Sequence, residues 1–524
     1  MARARRTILY NKKRKNKMAI KINPNPRVPS LERVDDKTKI NVRYMVIAPF
    51  ASIHIYWDEN VGELIYEVEE PILDEKESGY LESIKTSMRE ILNINLFDES
   101  NKDNLMNYIE KTARMVINQI GISINEKQFQ KIFYYLYRDF IGLNEIDPIM
   151  KDYFIEDVEC NGIGEPIYLV HRVFRNLKTN VKFNSMDSIA GFVEKLAQKT
   201  GRYISYASPI LDGSLPDGSR VNATYTKDIT TKGPTFTIRK FTKIPWTPIQ
   251  LIEFKTVSPE ILAYFWILLE NQANLMLCGG TASGKTTMLN ALAFFIPPEN
   301  RVVSIEDTRE LNLPRENWLP SVVRTGVSAQ ETGNVDMFSL LKGSFRQNPD
   351  YVIVGEVRGK EASVLFQGMA SGHASISTIH ADSVETLIQR LQTPPISLSP
   401  MLVNSLDAVA IMTHTIIDKY ETRRMREITE IGEVSPDGSA KTNTPIRWNP
   451  SDDQFYFLDK MIVFDKISQK SGIPIEKLKQ EFVLRTKLLF TMYQRGIKNY
   501  GDVQRIINKY YKKPEEVLAE FGIS

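Results

Sequence analysis

Apolar and polar residues alternate in short runs between Tyr44 and about Glu69, in YMVIAPFASIHIYW and ELIYEVEE. A period of two predicts strands. From 80 to 145 the period lengthens. LESIKTSMREIL and FQKIFYYLYRDFIG carry apolar residues three and four apart, the spacing of amphipathic helices. These stretches predict a mixed strand and helix domain over 44–146, preceded by a Pro- and charge-rich segment over 1–43.

A second α+β unit is expected over 147–243. Its strands are PIYLVHRVF and TFTIRKF, its helix SIAGFVEKLAQKTG, and its turns Asp212-Gly213 and Asp217-Gly218. IPWTPIQ (244–250) holds two prolines and reads as a linker. From 251 the pattern changes again. Apolar runs LMLCGG, RVVSIED, DYVIVGE, SISTIHA and AVAIMTH alternate with helical patterns, which predicts an α/β domain with a parallel sheet flanked by helices. After Lys466 the chain is expected to be helical to its end.

Composition narrows the class. The chain has 524 residues, 42% hydrophobic and 25% charged, so it can fill several cores without staples. Two cysteines exclude a disulfide framework and a four-cysteine zinc site, and fit a reducing, cytoplasmic setting. The longest apolar run, ILAYFWILL (261–269), is too short for a membrane span, which needs about 20 residues. Residues 1–21 carry nine Lys/Arg and no Asp/Glu; removing those nine from the net +3 leaves −6 for the rest. That tail reads as a solvated arm, as a contact for anionic lipid or an acidic partner, or as the product of an upstream start with Met18 the true initiator.

The most specific chemical signal is GGTASGKT (279–286), which matches G-x-x-x-x-G-K-[ST] between a predicted strand and a predicted helix. Such a loop turns backbone N–H groups toward phosphate oxygens, with the helix dipole adding to the attraction. The nucleotide-binding set is Gly279, Gly280, Thr281, Ala282, Ser283, Gly284, Lys285, Thr286 and Thr287. Lys285 is expected to reach the β- and γ-phosphates, and Thr286 to offer a hydroxyl to Mg²⁺.

Two downstream apolar runs end in carboxylates: VVSIEDT at Glu306 and Asp307, YVIVGE at Glu356. Ligands of open parallel sheets collect outside the carboxyl ends of the strands, so both are predicted beside the phosphate loop. SGHASISTIHADS (371–383) holds two of the five histidines, His373 and His380. Seven residues of strand span up to about 23 Å, too far for one metal ion to bridge the pair.

The ordered set GGTASGKT, SIEDTREL, VGEVRGKEA and SGHASISTIHADS resembles the secretion-superfamily ATPases, the hexameric motors of type II secretion, type IV pili, archaella and related conjugation systems. The likeness spans about 150–430, and LPDGSRVN and TIRKF bring it nearest to archaeal pilus and archaellum motors. It implies a RecA-like motor domain behind a PAS-like domain at 147–243. It also implies Glu306 as general base or water-positioning group supported by Asp307, and Glu356 as a Mg²⁺ ligand, partly through water. Arg358 and Glu361 would orient that strand end. His380 would sense the γ-phosphate and His373 contact a neighbouring domain. Arg220 and Arg239 would bring positive charge to the phosphates, with Arg324 and Arg346 as further candidates.

The implied function is ATP hydrolysis by a homo-hexamer at the inner face of the cell membrane. It would act on a polytopic membrane platform protein that moves pilin-like subunits, with ATP and Mg²⁺ as the cofactors. A nucleic-acid translocase is the alternative. The net-negative body lacks a basic stripe, so no nucleic-acid partner is expected. A non-motor scaffold that binds ATP without turnover is a third reading, opposed by intact Lys285, Glu306 and Glu356.

Overall fold

The computed structural model describes residues 22–523 except 25, 27–28, 30, 32–33, 35, 92–101, 243, 325–332, 418–419 and 436–439. The basic segment 1–21, with Met18, lies outside the described residues. The chain divides into two compact units, 1–241 and 242–524.

The first unit is built on one nine-stranded sheet. Its strands are β1 (Asn41–Ile47), β2 (Ala51–Asp58), β3 (Glu63–Glu69), β4 (Ile155–Cys160), β5 (Pro166–His171), β6 (Arg175–Lys182), β7 (Ile210–Ser214), β8 (Arg220–Thr224) and β9 (Thr235–Arg239), in the order β1-β2-β3-β6-β5-β4-β9-β8-β7. Period-two burial forms the meander: Ala51, Ile53 and Ile55 of β2 and Leu64, Tyr66 and Val68 of β3 face the core. The expected boundary between 146 and 147 is not a break in this sheet. β3 pairs in parallel with β6 through Ile65↔Lys178 and Tyr66↔Thr179, joining strands from both predicted domains.

Asp152 stitches the same halves together, accepting from Tyr44 Oη at 2.6 Å and Tyr66 Oη at 2.8 Å. Helices Glu75–Ile91, Lys102–Gln119 and Glu126–Leu136 form a separate core around Ile84, Ile109 and Ile132. Asp212-Gly213, read as a turn, lies inside β7. Asp217-Gly218 does make the turn into β8, with Gly218 at φ +92°.

Among the described residues the second unit also holds a nine-stranded sheet. Its strands are β10 (Leu275–Gly279), β11 (Val302–Glu306), β12 (Trp318–Val322), β13 (Tyr351–Val354), β14 (Ala374–Ile379), β15 (Ala408–Ile417), β16 (Tyr420–Val434), β17 (Ala440–Asn449) and β18 (Gln454–Phe457). The order is β12-β11-β13-β14-β10-β15-β16-β17-β18. The six strands from β12 to β15 run parallel, as the alternation predicts. The last three add an antiparallel extension, so the sheet is mixed.

Every residue of β10, β11, β13 and β14 is buried, because helices cover both faces. The run Ile261–Leu269 is the buried core of helix Pro259–Glu270, packed against helix Ile475–Gln494. Among the described residues no helix is long and apolar enough to cross a membrane. The expected linker 244–250 is partly helical: Thr247 caps a helix over Pro248–Glu253, and Trp246 packs on the core.

Candidate active site

The register of the parallel strands collects the motif residues at one sheet edge. Cys278 pairs with Ile379, Val354 with Ser377 and Ile305 with Val354. Gly279, Glu306, Glu356 and His380 therefore leave the carboxyl ends of β10, β11, β13 and β14.

The loop after β10 is shaped by close approaches. A side chain on Gly279 (φ +148°) would bring its Cβ to 2.4 Å from the Met412 carbonyl oxygen, so the position admits only glycine. Ala282 is held at φ +57° and Gly284 at φ +94°, and Ser283 Oγ donates to Gly280 O at 2.9 Å. Helix Lys285–Leu292 starts there, with Thr286 and Thr287 in its first turn. Lys285 Nζ donates to Gly279 O (2.9 Å) and Gly280 O (2.8 Å), and His380 Nδ1 lies 3.4 Å away. Burial lowers the Lys285 pKa, while the nearby Glu356 and Glu310 carboxylates act the other way.

Glu356 Oε2 accepts from Arg358 Nη2 at 2.5 Å. Its Oε1 lies 2.8 Å from His380 Nε2 without hydrogen-bond alignment and is otherwise a buried, unpartnered oxygen. A carboxylate oxygen of this kind, and the hydroxyl that Thr286 carries in the first turn of the helix after the loop, are donors of the type a hard cation such as Mg²⁺ takes. Glu361 Oε1 accepts from the Arg358 and Gly359 N–H groups and fixes the turn after β13.

Glu306 is 2% exposed. Its Oε1 accepts from Glu310 N and Leu311 N, both at 2.9 Å, and its Oε2 has no hydrogen-bond partner. Burial raises its pKa to about 7, against the lowering effect of the two N–H donors. Asp307 beside it is exposed.

The two histidines do not converge. His373 precedes β14 and His380 follows it, so they sit at opposite ends of a fully buried strand. His373 stands at the far edge, with its ring 4.8 Å from that of Phe345. The strand between them keeps His373 apart from the edge where Gly279, Glu306, Glu356 and His380 meet. Arg346, in the turn Phe345–Gln347 before β13, is at that same far edge. Arg324 lies beyond β12, donating to Gly333 O.

Arg220 and Arg239 belong to the first unit. They face each other as register partners on β8 and β9, with Asp157 opposite Arg239 and Asp212 bonded to Arg220 at 3.0 Å.

Two arginines of β16 were not anticipated. Arg423 Nε donates to Ala282 O at 2.7 Å, and Arg426 Nη2 donates to Asp382 O at 2.5 Å. A cavity of about 250 Å³ beside the loop is lined among others by Thr281, Asp382, His414 and Arg426. Their signal was the basic run ETRRMRE, which carries no motif of its own.

Known proteins align along this site. The uncharacterized protein MJ0900 of Methanocaldococcus jannaschii is 37% identical over 78% of this chain and 75% of its own length. The conjugal transfer protein TrbB of Rhizobium radiobacter is 31% identical over 43% of this chain and 68% of its own. The X-ray structure of the Legionella pneumophila ATPase DotB is similar at 14% identity and a TM-score of 0.40, covering 71% of this chain and 95% of DotB. The family described as type II/IV secretion system protein matches residues 165–444, more than half of the sequence and every motif of this edge, and the chain belongs to that family.

Proposed function

We propose that this chain is an ATP-hydrolysing motor of a secretion or type IV pilus-like machine, acting as a ring, a hexamer by resemblance. The observation that carries this reading is the convergence of Lys285, Glu306, Glu356 and His380 at one sheet edge around a glycine-shaped loop. The loop N–H groups and the helix start bind the phosphates, and Lys285 exchanges its carbonyl partners for phosphate oxygens. Thr286 and Glu356 would hold Mg²⁺, which, when bound, neutralises charge on the β- and γ-phosphates.

Glu306 would take the proton of the water that attacks the γ-phosphorus. A base whose pKa is near 7 suits that task, and Oε2 is the oxygen not already engaged by N–H donors. His380, between Lys285 and Glu356, is suited to register the γ-phosphate and pass its presence along β14. Arg220 and Arg239 would supply further positive charge from the first unit, of the same subunit or a neighbour. Domain closure on ATP and release after hydrolysis would then work on a polytopic membrane platform protein at the cytoplasmic face, moving pilin-like subunits.

Mg²⁺-dependent phosphate release by the purified chain, absent from Lys285→Ala, tests the enzymatic core. Lys285→Ala in the cell, followed by imaging of surface filaments, tests the appendage role; unchanged filaments and motility would remove it. The conjugal-transfer name of one relative favours a second reading, a motor serving nucleic-acid export. Stimulation of hydrolysis by DNA would support that reading over the first, against a net charge of −6 beyond the first 21 residues.

A further inference from the structure

The phosphate loop is backed by a strand outside its own motif. β15 pairs with β10 up to Gly279↔Met412, and β16 pairs with β15 through Met412↔Met425 and His414↔Arg423. The Met412 carbonyl presses on Gly279, and the Arg423 stem covers Gly284, where an added Cβ would meet Arg423 Cδ at 3.2 Å. From there Arg423 Nε reaches Ala282 O at 2.7 Å.

That bond lands on the most constrained peptide of the loop. Ala282 is a non-glycine residue at φ +57°, a conformation that costs energy unless the surroundings hold it. The 282–283 peptide is trans, so its C=O and N–H point in opposite directions. Fixing the Ala282 oxygen toward β16 turns the Ser283 N–H away from β16, as a ring of inward N–H donors requires. One strand register shift further along, Ile411 faces Glu427 while Met412 faces Met425. Arg426 is the extra residue of this bulge, and it holds Asp382 O in the loop after His380.

We propose that Arg423 is a positioning residue for nucleotide binding: it braces the Ala282–Ser283 peptide so that the phosphate loop is preformed. The inference rests on the nucleotide-binding reading above and adds a residue that none of the four motifs contains. Its contribution is to binding, because the guanidinium is engaged on the outer side of the loop. It precedes the chemistry.

The test compares the full chain with Arg423→Ala, Arg423→Lys and Arg423→Gln, and with Lys441→Ala as an exposed control on the same sheet extension. Calorimetric titration with Mg·ATP gives Kd, and phosphate release gives KM and kcat. Arg423→Ala is expected to raise Kd and KM by about ten-fold or more, with kcat at saturating ATP within about three-fold. Arg423→Lys keeps the stem over Gly284 and is expected to recover part of the loss, whereas Lys441→Ala changes nothing. If thermal melting shows that Arg423→Ala does not fold, the Lys and Gln variants carry the comparison.

A Kd for Arg423→Ala within about two-fold of the parent overturns the brace while leaving the functional reading intact. A fall in kcat at unchanged KM overturns it too, since it would place Arg423 in the reaction. A parent chain that binds no nucleotide overturns both readings.

Discussion

Gly355 lacks a side chain where Glu306 passes: a Cβ built on Gly355 would lie 3.1 Å from Glu306 Cγ. The glycine of the Gly-Glu strand end thus makes room for the carboxylate of the neighbouring strand. Gly355→Ala would push that side chain by a few tenths of an ångström. The expected outcome is a kcat lower by about ten-fold with ATP affinity kept, at a stability cost of about 1 kcal/mol. Steady-state kinetics and chemical denaturation read the two effects separately.

The Glu306 carboxyl has a pKa of about 7, raised by burial, against 4.5 for the ordinary group. As a base it works deprotonated, so kcat/KM should rise through about pH 7 and level off above it. The stability effect has the opposite trend. The folded state holds the proton more tightly than the unfolded one, so stability declines as pH rises between about 4.5 and 7. Glu306→Gln should therefore abolish hydrolysis, keep nucleotide binding, and stabilise the protein at pH 8 by about 1–3 kcal/mol. Thermal melting at pH 5 and pH 8 checks the trend.

Much of this site was legible because its parts are local. A strand such as VVSIE or YVIV is short, wholly apolar and ends in a carboxylate, so position and chemistry are read together. β16 escaped because charges inside it are buried by pairing. Arg424 is 4% exposed and bonded to Asp453, while Glu430 is fully buried among Tyr264, Asn443 and two backbone N–H groups. A hydropathy pattern cannot show such partners. The Arg423 bond was equally invisible: it spans 141 residues and ends on a backbone oxygen, which any residue provides. The separation of His373 from His380 was legible as well, because a strand of known rise lies between them.

Lys285→Ala removes the ammonium now held by two loop carbonyls. Hydrolysis is expected to fall by more than about 100-fold, with the fold retained. Circular dichroism and phosphate release check both halves of that statement.

The two histidines should separate in a matched pair of variants. His380→Ala loses the group between Lys285 and Glu356, and its kcat is expected to drop by about ten-fold or more. His373→Ala acts at the far edge, against Phe345, and should leave kcat within about two-fold. Equal kinetics for the two would remove the sensor role of His380.

The parallel pairing of β3 with β6, and the two phenols on Asp152, bear on how the protein can be divided. A fragment starting at 147 would contain all of residues 165–444, the stretch matched by the family. It would nevertheless bare one edge of β6 and strand a buried carboxylate without Tyr44 and Tyr66. The stretch by which the family is identified is shorter than the stretch that must fold together.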